Sequence, residues 1–429
     1  MFLALGASAT ALGQTTAQPA NAAPGQTQPA NAAPPSPFAD PDFGFSELIA
    51  LGGAYYRAGD PGKLLAILNS IKPGDFESAF SAFHDAGVEA RILAESAISR
   101  GHKVSAREAY QWAAARFSCA TRFLDGTKDP GRMPQCWKQY SECWAAAAGL
   151  FDPPAERIEI PYEGTHLTGW FLRAGESRSP RPLVIMNNGA DGVELSMYLH
   201  GGAGALSRGY NCLIFNGPGQ SDSLWERKLY FRPDWEKVIT PVVDAMLRRR
   251  EVDAKRVALI GVSFGGFWVP RALAFEPRIA AGVADPGILI ASELWLSHLP
   301  PFVREMLRAG KKEQFDNLMS GAVANARVAM LLRFRMRPYG ITSYYDLFRA
   351  VEQYDITDVA GRIRCPMLVT DSEGEPFSPG QAPKLYAALH CPKQMVRFTR
   401  EQGADQHCEV AAPGLRDFTI YNWLDELLV

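Results

Sequence analysis

The sequence predicts an α/β protein: a mostly parallel, doubly wound sheet, preceded by a helical region and interrupted by a helical insertion. Three observations predict it. From Arg157 onward, short apolar runs rich in Val, Ile and Leu recur, each ending in polar or glycine-rich residues. Stretches whose apolar residues fall three and four apart separate these runs. Strands apolar along their whole length must be buried on both faces, which requires helices on either side of a parallel sheet.

Taken in order, the first 42 residues stand apart. Phe2–Gly13 is a short apolar stretch, after which "QPANAAP" occurs twice and no charge appears before Asp40. The Pro/Ala-rich part has no apolar face to bury and is expected to be a disordered linker. The apolar part reads as the remnant of a secretory signal with Ala20–Ala22 as its cleavage site, so export is expected; no basic residue precedes it, as a misplaced start would explain. Residues 43–152 read as a helical domain, built from "FSELIALGGAYYRAGD", "GKLLAILNSI", the long run from Asp75, "SAREAYQWAAARFSCATRFLD" and "PQCWKQYSECWAAAAGLF". Ser105 and Glu108 have the spacing of a capping box.

Residues 153–429 read as the α/β domain. "RIEIPY" and "LTGWFLR" suggest an antiparallel pair; "PLVIMNN", "NCLIFNG", "RVALIGV", "IAAGVADPG" and "CPMLVTDS" suggest buried parallel strands; "QMVRFTR" is a last strand and "GLRDFTIYNWLDELL" a terminal helix. Helical text fills about 289–360, far more than the roughly dozen residues a single crossover needs. The excess is expected to cap the carboxyl ends of the strands, where functional groups of such sheets belong.

Composition narrows the function. Hydrophobic residues are 47% and charged residues 21%, as in ordinary globular proteins. A net charge of −2 with mixed signs offers no basic surface for nucleic acid. No apolar run of ~18 residues predicts a membrane span. The seven cysteines show no CxxC or metal spacing and are expected to be buried thiols. No motif asks for a cofactor or metal.

The chemistry is concentrated in "RVALIGVSFGGFW". A strand followed by G-x-S-x-G and a helix forces a sharp turn, and side chains two before and two after the serine would collide, so Gly261 and Gly265 stand there. This makes Ser263 a candidate nucleophile. A serine hydroxyl needs a base. Only His298, His390 and His407 follow it, and His407, after the last strand, is in the expected place. The acid belongs in "DSEGEPFSPGQA": Glu375 is expected, with Glu373 and Asp371 as alternatives. The oxyanion needs two donors, expected from the backbone N–H groups of Phe264 and Ala190, with Gly189 and Asp191 as neighbours. Asp191 and Glu194 are carboxylates at the mouth of the "GADGVE" loop; on their own they read as a turn residue and a helix-start residue.

Together these motifs resemble α/β-hydrolases, and within them the family of 2,6-dihydroxypseudooxynicotine hydrolase and the fungal polyketide-shortening hydrolases. The likeness runs from about Phe45 to the end and is carried by "GHKVSAREAYQWAA", "NNGADGVE", "FNGPGQSDS", "GVSFGG", "EGEPFSPGQA" and "GADQHCE". It implies an α/β-hydrolase fold, a helical domain over the active site and often dimers. It implies Ser263, His407 and Glu375 as the triad, and Glu194 as an aid to carbon–carbon cleavage. The chain departs from it with Glu where Asp is usual at 375, in the turn "NGPGQSDS", and in a longer stretch after Leu289. The resemblance implies hydrolysis of a carbon–carbon bond beside a ketone in a small β-diketone or hydroxyaryl ketone, with Asp191 near the substrate. Ester or amide hydrolysis uses the same machinery. A peptidase and a non-catalytic binding protein are the remaining readings.

Overall fold

The computed structural model describes residues 41–323 and 325–429. The linker and secretory-signal expectations fall on residues 1–40, outside the described residues. Eight strands form one sheet: β1 (Glu156–Tyr162), β2 (Thr165–Leu172), β3 (Arg181–Asn187), β4 (Asn211–Asn216), β5 (Val252–Val262), β6 (Ala281–Asp285), β7 (Met367–Ser372) and β8 (Lys393–Phe398). Their order is β1-β2-β4-β3-β5-β6-β7-β8. β2 runs antiparallel to β1 and to β4, and every other pairing is parallel.

The apolar strands still obey the two-residue alternation of a pleated sheet. Leu183, Ile185, Leu213, Phe215 and Leu259 pack on one face with Trp235, Val242 and Trp268. Val184, Met186, Cys212, Ile214, Ala258 and Ile260 pack on the other with Met197, Tyr421 and Leu424. Because both faces are covered, no polar residue is needed within these runs. β3 lies between β4 and β5, so the chain order reverses there and a crevice opens at the carboxyl ends.

Before the sheet come helices Pro41–Gly53, Pro61–Ser70, Phe76–Ser99, Lys103–Leu124 and Met133–Gly149. Asp75 caps the third, accepting the Ser78 N–H at 3.0 Å. The fourth departs from expectation. It starts at Lys103, two residues before Ser105, so Ser105 lies inside the first turn and cannot cap it. Glu108 instead accepts from the Arg57 guanidinium at 2.9 Å. Buried alanines at 86, 90, 94, 106, 109 and 113 let the two longest helices approach closely. A Cβ at Gly87 would lie 2.9 Å from the Phe117 ring.

The insertion between β6 and β7 forms helices Ser292–Ser297, Pro301–Arg308, Lys312–Ala322, Ala326–Met336 and Tyr344–Val351. They enclose a small core of their own, including Val303, Phe315, Val328, Leu332 and Phe348. An isolated bridge between Ile290 and Asp355 closes the insertion at its base. It is tied to the N-terminal helices through Asp125: Arg337 bonds its carboxylate and Arg333 its backbone carbonyl. No helix among the described residues is long and apolar enough to cross a membrane.

Candidate active site

β5 ends at Val262, and the helix Gly265–Leu273 begins three residues later. Ser263 joins them at φ 59°, in the left-handed region that costs a non-glycine residue on the order of 1–3 kcal/mol. Its neighbours show why the motif needs glycine. A Cβ on Gly261 would lie 2.1 Å from the Gly265 carbonyl oxygen, and one on Gly265 would lie 2.7 Å from that of Asn187. The Ser263 N–H donates to the Asp285 carbonyl at the end of β6, at 2.7 Å. This backbone bond holds the strained turn against the sheet.

His407 lies after β8, and its Nε2 is 2.8 Å from Ser263 Oγ. Its Nδ1 is 2.6 Å from Oε2 of Glu375, which follows β7. Oε1 of Glu375 accepts the N–H groups of Phe377 and Ser378 at 2.7 and 3.0 Å. Burial disfavours the charged form of each partner. Their mutual attraction outweighs it, holding His407 above the usual imidazole range and Glu375 below the usual carboxylate range. The Phe377 ring stands edge-on to His407 at 4.7 Å, and Phe45 of the first helix lies 6.2 Å away. The other candidates are occupied elsewhere. Asp371 pairs with Arg397 at 2.8 Å, Glu373 accepts the Arg400 N–H at 2.9 Å, His390 is exposed, and His298 caps a helix of the insertion.

The loop after β3 faces the same hydroxyl. A Cβ on Gly189 would lie 2.7 Å from the Ser263 Cβ. The Gly189 N–H is engaged by Asn188 Oδ1 at 2.8 Å. The N–H groups of Ala190 and Phe264 are bonded to no group among the described residues, and both residues line the cavity over Ser263. Gln220 holds this loop in place. Its Nε2 donates to the carbonyls of Asn188 and Gly189 at 3.0 and 2.8 Å, and its Oε1 accepts the Gly217 N–H at 2.8 Å. That is what the "NGPGQSDS" turn does here.

The cavity has a volume of about 1300 Å³. Ser263 and His407 form its floor. Its walls combine Phe45, Phe76 and Trp137 from the N-terminal helices with Trp295, Met330 and Phe334 from the insertion. The arrangement can deprotonate a serine hydroxyl, place it against an electrophilic carbon and receive the developing oxyanion.

No protein-family model matches this chain. Similar proteins do exist. The hydrolase LUC6 of a Fusarium species is 30% identical over 402 residues, which is 90% of this chain and 96% of the relative. The alpha/beta hydrolase xenA of Xenoacremonium sinensis is 30% identical over 365 residues, covering 81% of this chain and 83% of that one. The chain belongs to the α/β-hydrolase family. The crystal structure of 2,6-dihydroxy-pseudo-oxynicotine hydrolase superposes with a TM-score of 0.70 over 88% of this chain and 95% of that chain, at 20% identity, which shows the shared fold.

Two site residues of this α/β-hydrolase need a closer description. Asp191 lies on the cavity rim with its carboxylate 3.6 Å from the Arg122 guanidinium. Burial holds Arg335, which lines the same cavity, below the usual guanidinium range, and Asp191 opposes that shift. Glu194 differs from expectation: it is not at the mouth of the loop. It starts the short helix Glu194–Met197, is buried, and is not among the cavity-lining residues. Its carboxylate accepts from Tyr140 (2.8 Å), Ser221 (3.0 Å) and Asn216 (2.8 Å). The cavity instead meets Tyr140 and Ser221, and Trp137 Nε1 donates to Ser221 Oγ at 3.2 Å. The buried acid is satisfied by Tyr140 of the helix Met133–Gly149 together with Asn216 at the end of β4 and Ser221 just beyond it.

Sequence reasoning missed other parts of this hydrolase's site. His200 precedes the serine, a position that reads as structural or surface, and it lines the cavity. Burial drives its pKa down to about 3, and its Nδ1 is 2.8 Å from the Ser196 carbonyl. Trp137, Tyr140, Arg122 and Arg335 sit on helices whose periodicity marks an inner face without saying what that face meets.

Proposed function

We propose that this hydrolase cleaves a carbon–carbon bond beside a ketone in a small aromatic or polyketide-like substrate, through a serine acyl-enzyme. The observation that carries the reading is the continuous chain Glu375–His407–Ser263 opening on a largely apolar cavity that Ala190 and Phe264 also line, their N–H groups unbonded among the described residues. Ser263 Oγ gives its proton to His407 Nε2 and attacks the ketone carbon. The oxyanion rests on the N–H groups of Phe264 and Ala190. As the carbonyl re-forms, the carbon–carbon bond breaks and its electron pair passes to an α-carbon conjugated with a second carbonyl or hydroxyaryl ring, which His407 protonates. Water, deprotonated by His407, then releases the acid. Carbon leaves poorly, so the substrate must delocalise that charge, as a β-diketone or hydroxyaryl ketone does. The cavity exceeds the ~300–1,000 Å³ of ordinary small-molecule sites and suits an extended or two-ring substrate. Asp191, on the rim with Arg122, is assigned to substrate binding.

One observation favours a second reading, hydrolysis of esters or amides. Glu194, the acid expected to assist carbon–carbon cleavage, reaches the cavity only through Tyr140 and Ser221. Purified protein assayed against β-diketones, acyl-phenols and aryl esters separates the two. Turnover of esters alone would refute carbon–carbon cleavage. Under the first reading, Glu194→Gln lowers diketone cleavage much more than ester hydrolysis.

A further inference from the structure

Behind His407 lies a second pair of acids that the proposed reaction does not use. Asp285 ends β6, and Glu409 follows His407 by two residues; they are 1% and 0% exposed. Asp285 Oδ1 accepts from the Thr370 hydroxyl at 2.7 Å, and Glu409 Oε1 accepts from the Ser372 hydroxyl at 2.8 Å. Thr370 and Ser372 are alternate residues of β7 and so present both hydroxyls on one face. The two remaining oxygens, Asp285 Oδ2 and Glu409 Oε2, are buried and receive no donor from the described residues. The two carboxyl groups stand within hydrogen-bonding reach of each other. Two ionised carboxylates cannot share such a site. One proton between them satisfies every oxygen.

Charges of both signs surround the pair, and burial prevails over the cations among them. Arg416 of the terminal helix acts on both acids, while its Nε and Nη2 donate to Asp417 and the Leu199 carbonyl, each at 2.9 Å. The same loop contributes His407 and the Cys408 thiol, and Glu375 faces that thiol from the acid loop. Burial raises both carboxyls above the usual range, and Asp285 raises Glu409 further.

The pair is linked to the reacting groups through backbone. The Asp285 carbonyl accepts the Ser263 N–H and, at 3.4 Å, the Cys408 thiol. Cys408 and Glu409 have φ of 54° and 48°, two consecutive non-glycine residues in the left-handed region. Such a turn persists only when its surroundings hold it, and the Glu409 side chain ties its end to the sheet. We propose that Asp285 and Glu409 share one proton, and that this acid–carboxylate bond is the clamp that holds the left-handed turn and so aims His407 Nε2 at Ser263. Both are positioning residues, and the inference rests on His407 being the base.

The sign of the pH dependence follows. Both carboxyls are raised in the folded state, so their stabilisation is fully present below the unfolded value and is lost as pH rises through the folded value. Glu409→Gln supplies an amide N–H where the shared proton was and cannot titrate; Asp285→Asn does the same from the other side. The experiment measures melting temperature against pH in a Ser263→Ala background, where activity plays no part, and kcat, KM and fluorophosphonate labelling in the active protein. The expected result is that both amide variants lose the part of the alkaline fall in melting temperature that this pair contributes, the remainder belonging to His407 and Glu194, and keep kcat within about threefold. Glu409→Ala should lose about 10²-fold in kcat with little change in KM, the effect of a displacement of about 1 Å. An alkaline fall unchanged in Glu409→Gln would overturn the shared proton. Wild-type kcat in Glu409→Ala would overturn the clamp; should that variant not fold, a Glu409→Gln protein as inactive as His407→Ala overturns it equally. His407→Ala labelled at the wild-type rate would refute the base itself and is read separately from the melting curves.

Discussion

Glu375 and Glu194 make an instructive pair. Both lie in loops that follow parallel strands, and both are buried, yet their ionisation is shifted in opposite directions. Glu375 faces His407 and accepts two backbone N–H groups, and these overcome the cost of burial. Glu194 receives only neutral donors, from Tyr140, Ser221 and Asn216. Burial and the nearby Asp222 carboxylate keep it above the usual range. Arg227 is close by, but it pairs with Asp222 at 2.8 Å. At Glu194 the neutral donors favour the anion but do not offset burial and the Asp222 charge; at Glu375 the facing imidazole adds enough to reverse the sign. The first environment suits an acid that orients imidazole, the second an acid that organises a wall.

The comparison can be broken most directly at the Glu375 end. Removing Ser263 or His407 by alanine substitution should lower kcat by about 10⁴–10⁶-fold, measured on whichever ester or ketone the enzyme turns over. An effect below tenfold would show that the hydrogen-bonded chain is not the machinery. Glu375→Gln should cost about 10³–10⁴-fold. It should also move the pH profile. The base must be neutral to act, and Glu375 raises His407, so the acid limb of kcat/KM lies above the usual histidine range and should shift to lower pH in the variant. An unshifted limb would mean that Glu375 does not control the imidazole.

Gly189→Ala tests the space between the loop and the nucleophile. The added Cβ, 2.7 Å from that of Ser263, should push the loop away and cost about 10²-fold in kcat, with a normal far-ultraviolet circular dichroism spectrum. At the other acid the expected effect on folding stability is small. Glu194 is raised in the folded state, so its contribution is present at low pH and is lost as pH rises through its folded value. Glu194→Gln should flatten the melting temperature on the alkaline side and change stability near neutrality by only about 1 kcal/mol. A uniform loss at every pH would mean that the carboxylate, not the acid, is what the wall needs.

Much of this was legible in the chain. The buried strands announce themselves because a residue covered on both faces must be apolar, and the antiparallel pair at the start reads as such. Ser263 is legible because the turn excludes side chains at 261 and 265. Chain order points to a histidine after β8 and an acid after β7 but leaves Glu373 and Asp371 open beside Glu375; the structure brings Glu375 to His407. Ser105 misled because a capping box is a local pattern, and the helix starts two residues earlier. Glu194 misled for a different reason: its direction depends on Tyr140, 54 residues away.

The sequence by itself therefore determined the sheet, the sharp turn at Ser263 and the order of Ser263, Glu375 and His407 along the strand ends, since the first two follow from backbone sterics and from the side-chain period of elements that fold locally. Only the tertiary structure decided which helices roof the cavity, that His200 lines it, that Glu194 turns inward, and that Asp285 meets Glu409. Those outcomes are contacts between segments far apart in the chain, and periodicity fixes which face a helix buries without naming the partner it buries it against.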